Sequence, residues 1–211
     1  MIDSLYNATM LAYLKPLTFL LCLVPLARLV FLGMTEQLGA NPVEFITRST
    51  GTWTLVLLCV TLSVTPLRKW TGWHKIAMLR RMLGLFTFFY ACLHFTTYIW
   101  LDQWFDVASM VHDIAKRPFI TVGFAAFVLL IPLAITSNNA IIKKLGGKRW
   151  QRLHRLVYLV ATLAILHFWW HKAGKHDFGQ PIIYGSIVLF LLLARLKFNQ
   201  PVRTGKQTPC H

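Results

Sequence analysis

The sequence predicts an all-α, polytopic membrane protein of six spanning helices, and three observations lead there. The 211-residue chain is 56% hydrophobic and only 14% charged, with a mean hydropathy of +0.54; a soluble domain is typically about a quarter charged. Its apolar runs approach the roughly 20 residues that cross a hydrocarbon core of about 30 Å as a helix. Strand alternation of the membrane-barrel kind is absent, and in lipid every backbone polar group must be satisfied within the segment, so such runs are helices.

The spans are expected, in order, at 14–33, 52–67, 82–101, 118–137, 153–171 and 181–197. The first is long and no small-residue cleavage site follows it, so it reads as a retained span and not a signal peptide. The second is short unless it begins near Thr50. The third follows the basic pair Arg80–Arg81 and contains His94. The fourth begins after Lys116 and Arg117. The fifth carries His154, His167 and His171, and the sixth closes the bundle. Residues 1–198 are expected to form one domain, with 199–211 a loose polar tail in the cytoplasm.

The net charge of +15 invites a nucleic-acid reading, but its placement argues against one. With six spans, most of the basic residues fall on one set of loops: Lys15, the 68–81 stretch, the 143–155 stretch and the segment after Arg195. All but one of the seven acidic residues fall on the other set, among them Asp102, Asp106 and Asp113, where a docking role competes with that of a solvated loop. The positive-inside rule then puts both termini in the cytoplasm and assigns the basic loops to topology and anionic lipid. Cys22, Cys59 and Cys92 fall within spans and Cys210 in the tail; they have no metal-ligand spacing and suggest no disulfide framework. No internal repeat is evident.

Of the eight histidines, His74, His112, His176 and His211 fall in loops or the tail, whereas His94, His154, His167 and His171 lie in or at the ends of spans three and five. An intramembrane histidine is costly and faces a partner in the bundle. It either hydrogen-bonds a neighbouring helix or, as a neutral imidazole, ligates iron between facing helices. Spans three and five run in the same direction. His94 lies thirteen residues beyond Arg81, and His167 thirteen beyond His154, each about 19 Å. His94 and His167 are therefore expected at one depth, able to form a bis-histidine haem site. His154 has Arg81 at its level instead of a histidine. There Arg80 and Arg81 suit an anion, either a flavin phosphate or haem propionates, or are simply a positive-inside flank. On an ideal helix His154 and His167 do not share a face. His171, Trp169 and Trp170 read as outer-interface residues. Trp150, Phe168 and Trp169 are candidates for cofactor contact, although aromatics in spans are more often packing.

RRMLGLFTFFYACLHFTTY (80–98), KRPFITVGFAAFVLLIPLAITS (116–137) and KKLGGKRWQRLHRLVYLVATLAILHFWW (143–170), together with LGANPVEFITRSTGTWTL (38–55) and LSVTPLR (62–68), resemble the MsrQ (YedZ) family within the ferric-reductase-like transmembrane superfamily, over about residues 15–196. The resemblance implies b-type haem, one or two per chain, at His94, His154 and His167. It also implies FMN, for which Arg80, Arg81 and Arg149 are the phosphate candidates. Electrons would run from the cytoplasm to MsrP, a periplasmic molybdopterin enzyme that reduces methionine sulfoxide in envelope proteins, across a bacterial inner membrane. The superfamily's oxidases carry two histidines on each of two helices, and this chain departs from that at Arg81. KLGGK (144–148) is not a nucleotide-binding GxGxxG, so the expected donor is separate, a cytoplasmic flavin reductase or membrane quinol. Three other readings remain: another haem reductase (ferric or quinol-linked), a proton-coupled transporter, and a passive anchor.

Overall fold

The computed structural model describes residues 2–174 and 176–198, and the side chains of 13–174 and 176–195. The tail expected at 199–211, with Cys210 and His211, lies outside the described residues, as does the side chain of Lys197. Among the described residues the chain is helical and has no strand. It comprises α1 (Ile2–Met34), α2 (Pro42–Thr71), a 3₁₀ turn (His74–Met78), α3 (Leu79–Thr97) running into a π turn (Tyr98–Asp102), α4 (Val107–Lys116), α5 (Pro118–Ile135), α6 (Asn139–Leu145), α7 (Gly147–His154), α8 (Leu156–Ala173) and α9 (Gly179–Phe198). Five stretches are long and apolar enough to cross a membrane: Tyr13–Met34, Pro42–Thr71, His74–Asp102, Pro118–Ile135 and Gly147–Ala173; a sixth, Gly179–Arg195, is apolar but shorter. The chain is a multi-pass helical membrane bundle.

The second span is longer than the 52–67 expected, because its start is set by capping and not by hydropathy. Asn41 accepts from the Glu44 N–H at 3.1 Å, Pro42 occupies the first turn, and Gly72 ends the helix at φ 70°. The short helices α4 and α6, where the sequence suggested loops, start the same way: Asp106 caps Ala108 and Ser109, and Asn138 caps Ala140.

Two antiparallel hairpins form the frame. α3 lies along α2 and α8 lies along α5, while α3 and α8 make almost no direct contact. Small residues let α2 approach α3 closely: Thr61 and Thr87 hydroxyls meet at 3.4 Å, and Gly84 faces Thr61. Each of these threonines also bonds the carbonyl four residues back, so neither hydroxyl is left bare. Phe127 of α5 stacks against Phe88 and packs on Phe95 of α3, joining the hairpins. Leu62, Tyr90, Val160 and Ala161 are almost fully buried.

Two prolines open helix ladders, and side chains from other helices occupy the openings. Beside Pro25 the buried Tyr90 hydroxyl accepts from Leu26 N–H at 3.0 Å and donates to Cys22 C=O at 2.9 Å, bridging the two groups that would otherwise bond each other. Pro66 has no N–H for the carbonyl of Leu62; Arg195 of α9 donates to that oxygen through Nε (3.1 Å) and Nη2 (2.8 Å). Arg195 is thus a helix residue turned into the bundle, not a member of a basic loop. At the opposite end the buried ammonium of Lys172 pairs with exposed Asp177. That hydrogen bond holds the Asp177 carboxyl below its ordinary value. The tether is therefore intact above about pH 4 and is lost as pH falls through the depressed value.

Replacing Arg195 by Met leaves a carbonyl unpaired in an apolar bundle and is expected to destabilise the protein by about 1–3 kcal/mol. In a Pro66→Ala background the carbonyl regains a helical donor. Thermal unfolding of the four proteins is expected to show a coupling of about 1 kcal/mol; strictly additive effects would exclude this role for Arg195.

Candidate functional site

His94 sits in the last turn of α3 and His167 in α8, and their rings face each other with centroids 6.2 Å apart and planes at 70°. Each ring is oriented by the other helix of its own hairpin. His94 Nδ1 lies 3.0 Å from Thr47 C=O on α2, and His167 Nδ1 lies 2.7 Å from Phe119 C=O on α5. A carbonyl only accepts, so Nδ1 carries the proton in both rings and Nε2 keeps its lone pair.

Four residues past each carbonyl stands a glycine. A Cβ on Gly51 would meet the His94 ring at 3.0 Å, and one on Gly123 the His167 ring at 2.7 Å. Neither position has an unusual backbone angle; glycine is needed there because the imidazole occupies the space of a side chain. The two hairpins thus repeat one device, a carbonyl and a glycine one turn apart on the helix facing the histidine. The sequence showed no repeat because little else matches around these positions.

A metal–imidazole bond is about 2.0 Å and a ring nitrogen lies about 1 Å from its centroid, so imidazoles on opposite sides of one metal have centroids about 6 Å apart. The observed separation suits that arrangement. Among the described residues no group of three or more His, Cys, Asp or Glu could hold a metal. Two histidines alone suit an iron that brings its other ligands in a macrocycle. One hydroxyl beside His94 is buried without a hydrogen-bond partner: Thr47 Oγ1, on the residue whose carbonyl holds the ring. Buried unsatisfied groups of this kind call for a ligand or water. His171 packs at 6.5 Å from His167 and 5.9 Å from Phe119, farther along the same face and exposed.

The other level is built differently. His154 Nε2 meets the Thr136 hydroxyl at 3.1 Å, and its ring lies 4.1 Å from that of Trp150, whose indole N–H donates to Thr136 C=O. Among the described residues no second histidine faces it. Arg80 and Arg81, adjacent on α3 and so about 100° apart, diverge. Arg80 lies within electrostatic reach of His154, Arg68 and Arg195. Arg81 donates to Asn139 Oδ1 at 2.5 Å and lines a groove against α1. Arg149 is exposed, one residue before Trp150.

Phe168 packs on Tyr184 and Trp169 on Phe178, both away from the paired histidines. The acidic loop residues are engaged structurally: Asp106 caps α4, and Asp113 accepts from Gln103 and pairs with Arg117. Thr47, Gly51, Phe119 and Gly123 enter the site without having been singled out in the sequence. A glycine in each partner span at the depth of the histidine was the available signal.

Residues 50–165 match the family described as ferric reductase like transmembrane component. The chain is 64% identical, over 88% of its length and 85% of the relative's, to the protein-methionine-sulfoxide reductase heme-binding subunit MsrQ of Herminiimonas arsenicoxydans. To the protein of that name in Ralstonia nicotianae it is 60% identical, over 93% and 90%, and to that of Bordetella pertussis 57%, over 88% and 90%. With a ferric-reductase-like match across more than half the chain and relatives this similar along nearly all of it, the chain belongs to the ferric-reductase-like transmembrane family and, within it, to the MsrQ subunits.

Proposed function

We propose that this chain is the haem-binding electron-transfer subunit of a methionine sulfoxide reductase system, carrying electrons from a cytoplasmic donor across a bacterial inner membrane to a periplasmic molybdopterin reductase, MsrP. The observation that carries it is the facing pair His94–His167, each ring with Nδ1 on a carbonyl and Nε2 free. The names of the relatives, heme-binding subunits of protein-methionine-sulfoxide reductase, point the same way. Haem b, when bound, supplies one-electron chemistry between the two sides.

The residues of the chain do the rest. His94 and His167 offer Nε2 lone pairs, and the carbonyls of Thr47 and Phe119 fix their tautomers and raise their basicity. Gly51 and Gly123 let the rings lie against their partner helices. The Thr47 hydroxyl offers an unused hydrogen bond beside His94. At the other level Arg80, beside Arg68 and Arg195 and with no carboxylate paired to it among the described residues, offers positive charge for a phosphate, and Trp150 with His154 an aromatic wall. These groups fit FMN better than a second six-coordinate haem, for which His154 lacks a facing partner. Arg81 is turned to Asn139 and stands apart from this cluster. The excess of Lys and Arg at the end holding Arg68, Arg80 and Lys143 supports a cytoplasmic position for that end and both termini. The donor is a flavin reductase or quinol.

His94→Ala and His167→Ala are each expected to remove most bound haem, and His154→Ala to spare it, read from reduced-minus-oxidised absorption of the purified proteins. Equal loss from all three would overturn the assignment. Gly123→Ala changes no ligand yet is expected to weaken haem binding by roughly 10–100-fold, and more than Gly51→Ala, because its Cβ meets the ring more closely. The function itself is tested by reducing the holoprotein and adding purified MsrP with an oxidised-methionine protein: reoxidation is expected. Reoxidation by ferric chelates but not by MsrP would assign the chain to a different acceptor.

A further inference from the structure

At the basic end of the bundle, away from the paired histidines, a groove of about 570 Å³ opens between α1 and α3. The two helices run side by side in the same direction: Phe19 packs edge-on against Phe86 at 5.2 Å, and two turns above Lys15 the Tyr90 hydroxyl bridges Cys22 and Leu26. Lys15 and Arg81 therefore stand together at one end of the groove, and Tyr90 ties the helices together at the other. Between them the wall is apolar, with Phe19 and Leu23 from α1 and Leu85 and Phe89 from α3. From Arg81 to Phe89 this wall rises about 12 Å.

The two cations are not neutralised. Both are exposed, and among the described residues no carboxylate pairs with either; the Arg81 guanidinium is aimed by a neutral group, Asn139 Oδ1. A two-cation ledge at the mouth of an apolar channel, on a helix pair that spans a membrane, is complementary to a phosphate diester carrying acyl chains. We propose that this groove binds one anionic glycerophospholipid, its phosphate between Lys15 and Arg81 and an acyl chain along Phe19, Leu23, Leu85 and Phe89. A lipid with a neutral head group fills the channel but gains little at the ledge.

Native mass spectrometry of the full-length holoprotein in detergent tests this, with phosphatidylglycerol and phosphatidylcholine of identical chains supplied at equal concentration. One retained phosphatidylglycerol is expected, preferred by about fivefold for each cation engaged. Lys15→Gln with Arg81→Gln is expected to abolish the preference, Arg81→Lys to keep it, and Lys143→Gln with Lys144→Gln, outside the groove, to keep it. If the double variant does not fold, Lys15→Gln alone decides, with an expected fivefold loss. Leu85→Trp, which fills the channel, is expected to reduce retention of either lipid. Equal retention of the two lipids, a preference surviving loss of both cations, an equal loss from the lysines outside the groove, unchanged retention in Leu85→Trp, or full displacement by inorganic phosphate would each overturn the proposal.

Discussion

An imidazole whose Nδ1 is hydrogen-bonded to a carbonyl of another helix takes its orientation from that helix, and not only from its own rotamer. Both paired histidines are held in this way, so the site depends on how closely α2 approaches α3 and α5 approaches α8. Gly51 and Gly123 set those approaches, and the threonine contacts between α2 and α3 extend one of them along the hairpin. The distance between the rings then follows from the placement of two hairpins, each internally tight and joined through phenylalanines. α3 and α8 come close at few backbone positions of their own, and the two rings meet between the hairpins.

The same accounting for backbone groups explains features that serve no site directly. In lipid a backbone group without a partner is expensive, so a side chain from another helix that reaches an opened ladder is stabilising. Tyr90 does this beside Pro25, bridging Cys22 C=O and Leu26 N–H, and Arg195 does it at Pro66, for Leu62 C=O. These repairs are also tertiary contacts. Tyr90 is among the few groups fastening α1 to the bundle, and Arg195 fastens α9 to α2. A bend in one helix thereby fixes the position of its neighbour.

Hydropathy alone revealed the spans, and counting residues along two helices of the same direction was enough to put His94 and His167 at one level. What hydropathy missed lay where a different force decides. α2 and α4 begin at side-chain caps, which are local hydrogen bonds with no hydrophobic signature. Arg80 and Arg81 looked like one cationic site because they are adjacent in sequence, yet adjacent helical residues point about 100° apart. Arg195 was counted with the loops because it is charged; a carbonyl deprived of its donor, 133 residues away in the chain, holds it inside the bundle. Gly51 and Gly123 were passed over because a glycine's contribution is the absence of atoms, visible only when the neighbour that uses the space is known.

The division of the two rings between hairpins also orders events in time. As the chain is synthesised, α2 and α3 precede α5 and α8, and they can already pair Thr47 with His94. That leaves half a site, correctly turned, with nothing opposite it. The other half exists only when α8 has folded back on α5, some 70 residues later in the chain. A ligand that needs both rings has no early intermediate to bind, and its capture reports that both hairpins have come together.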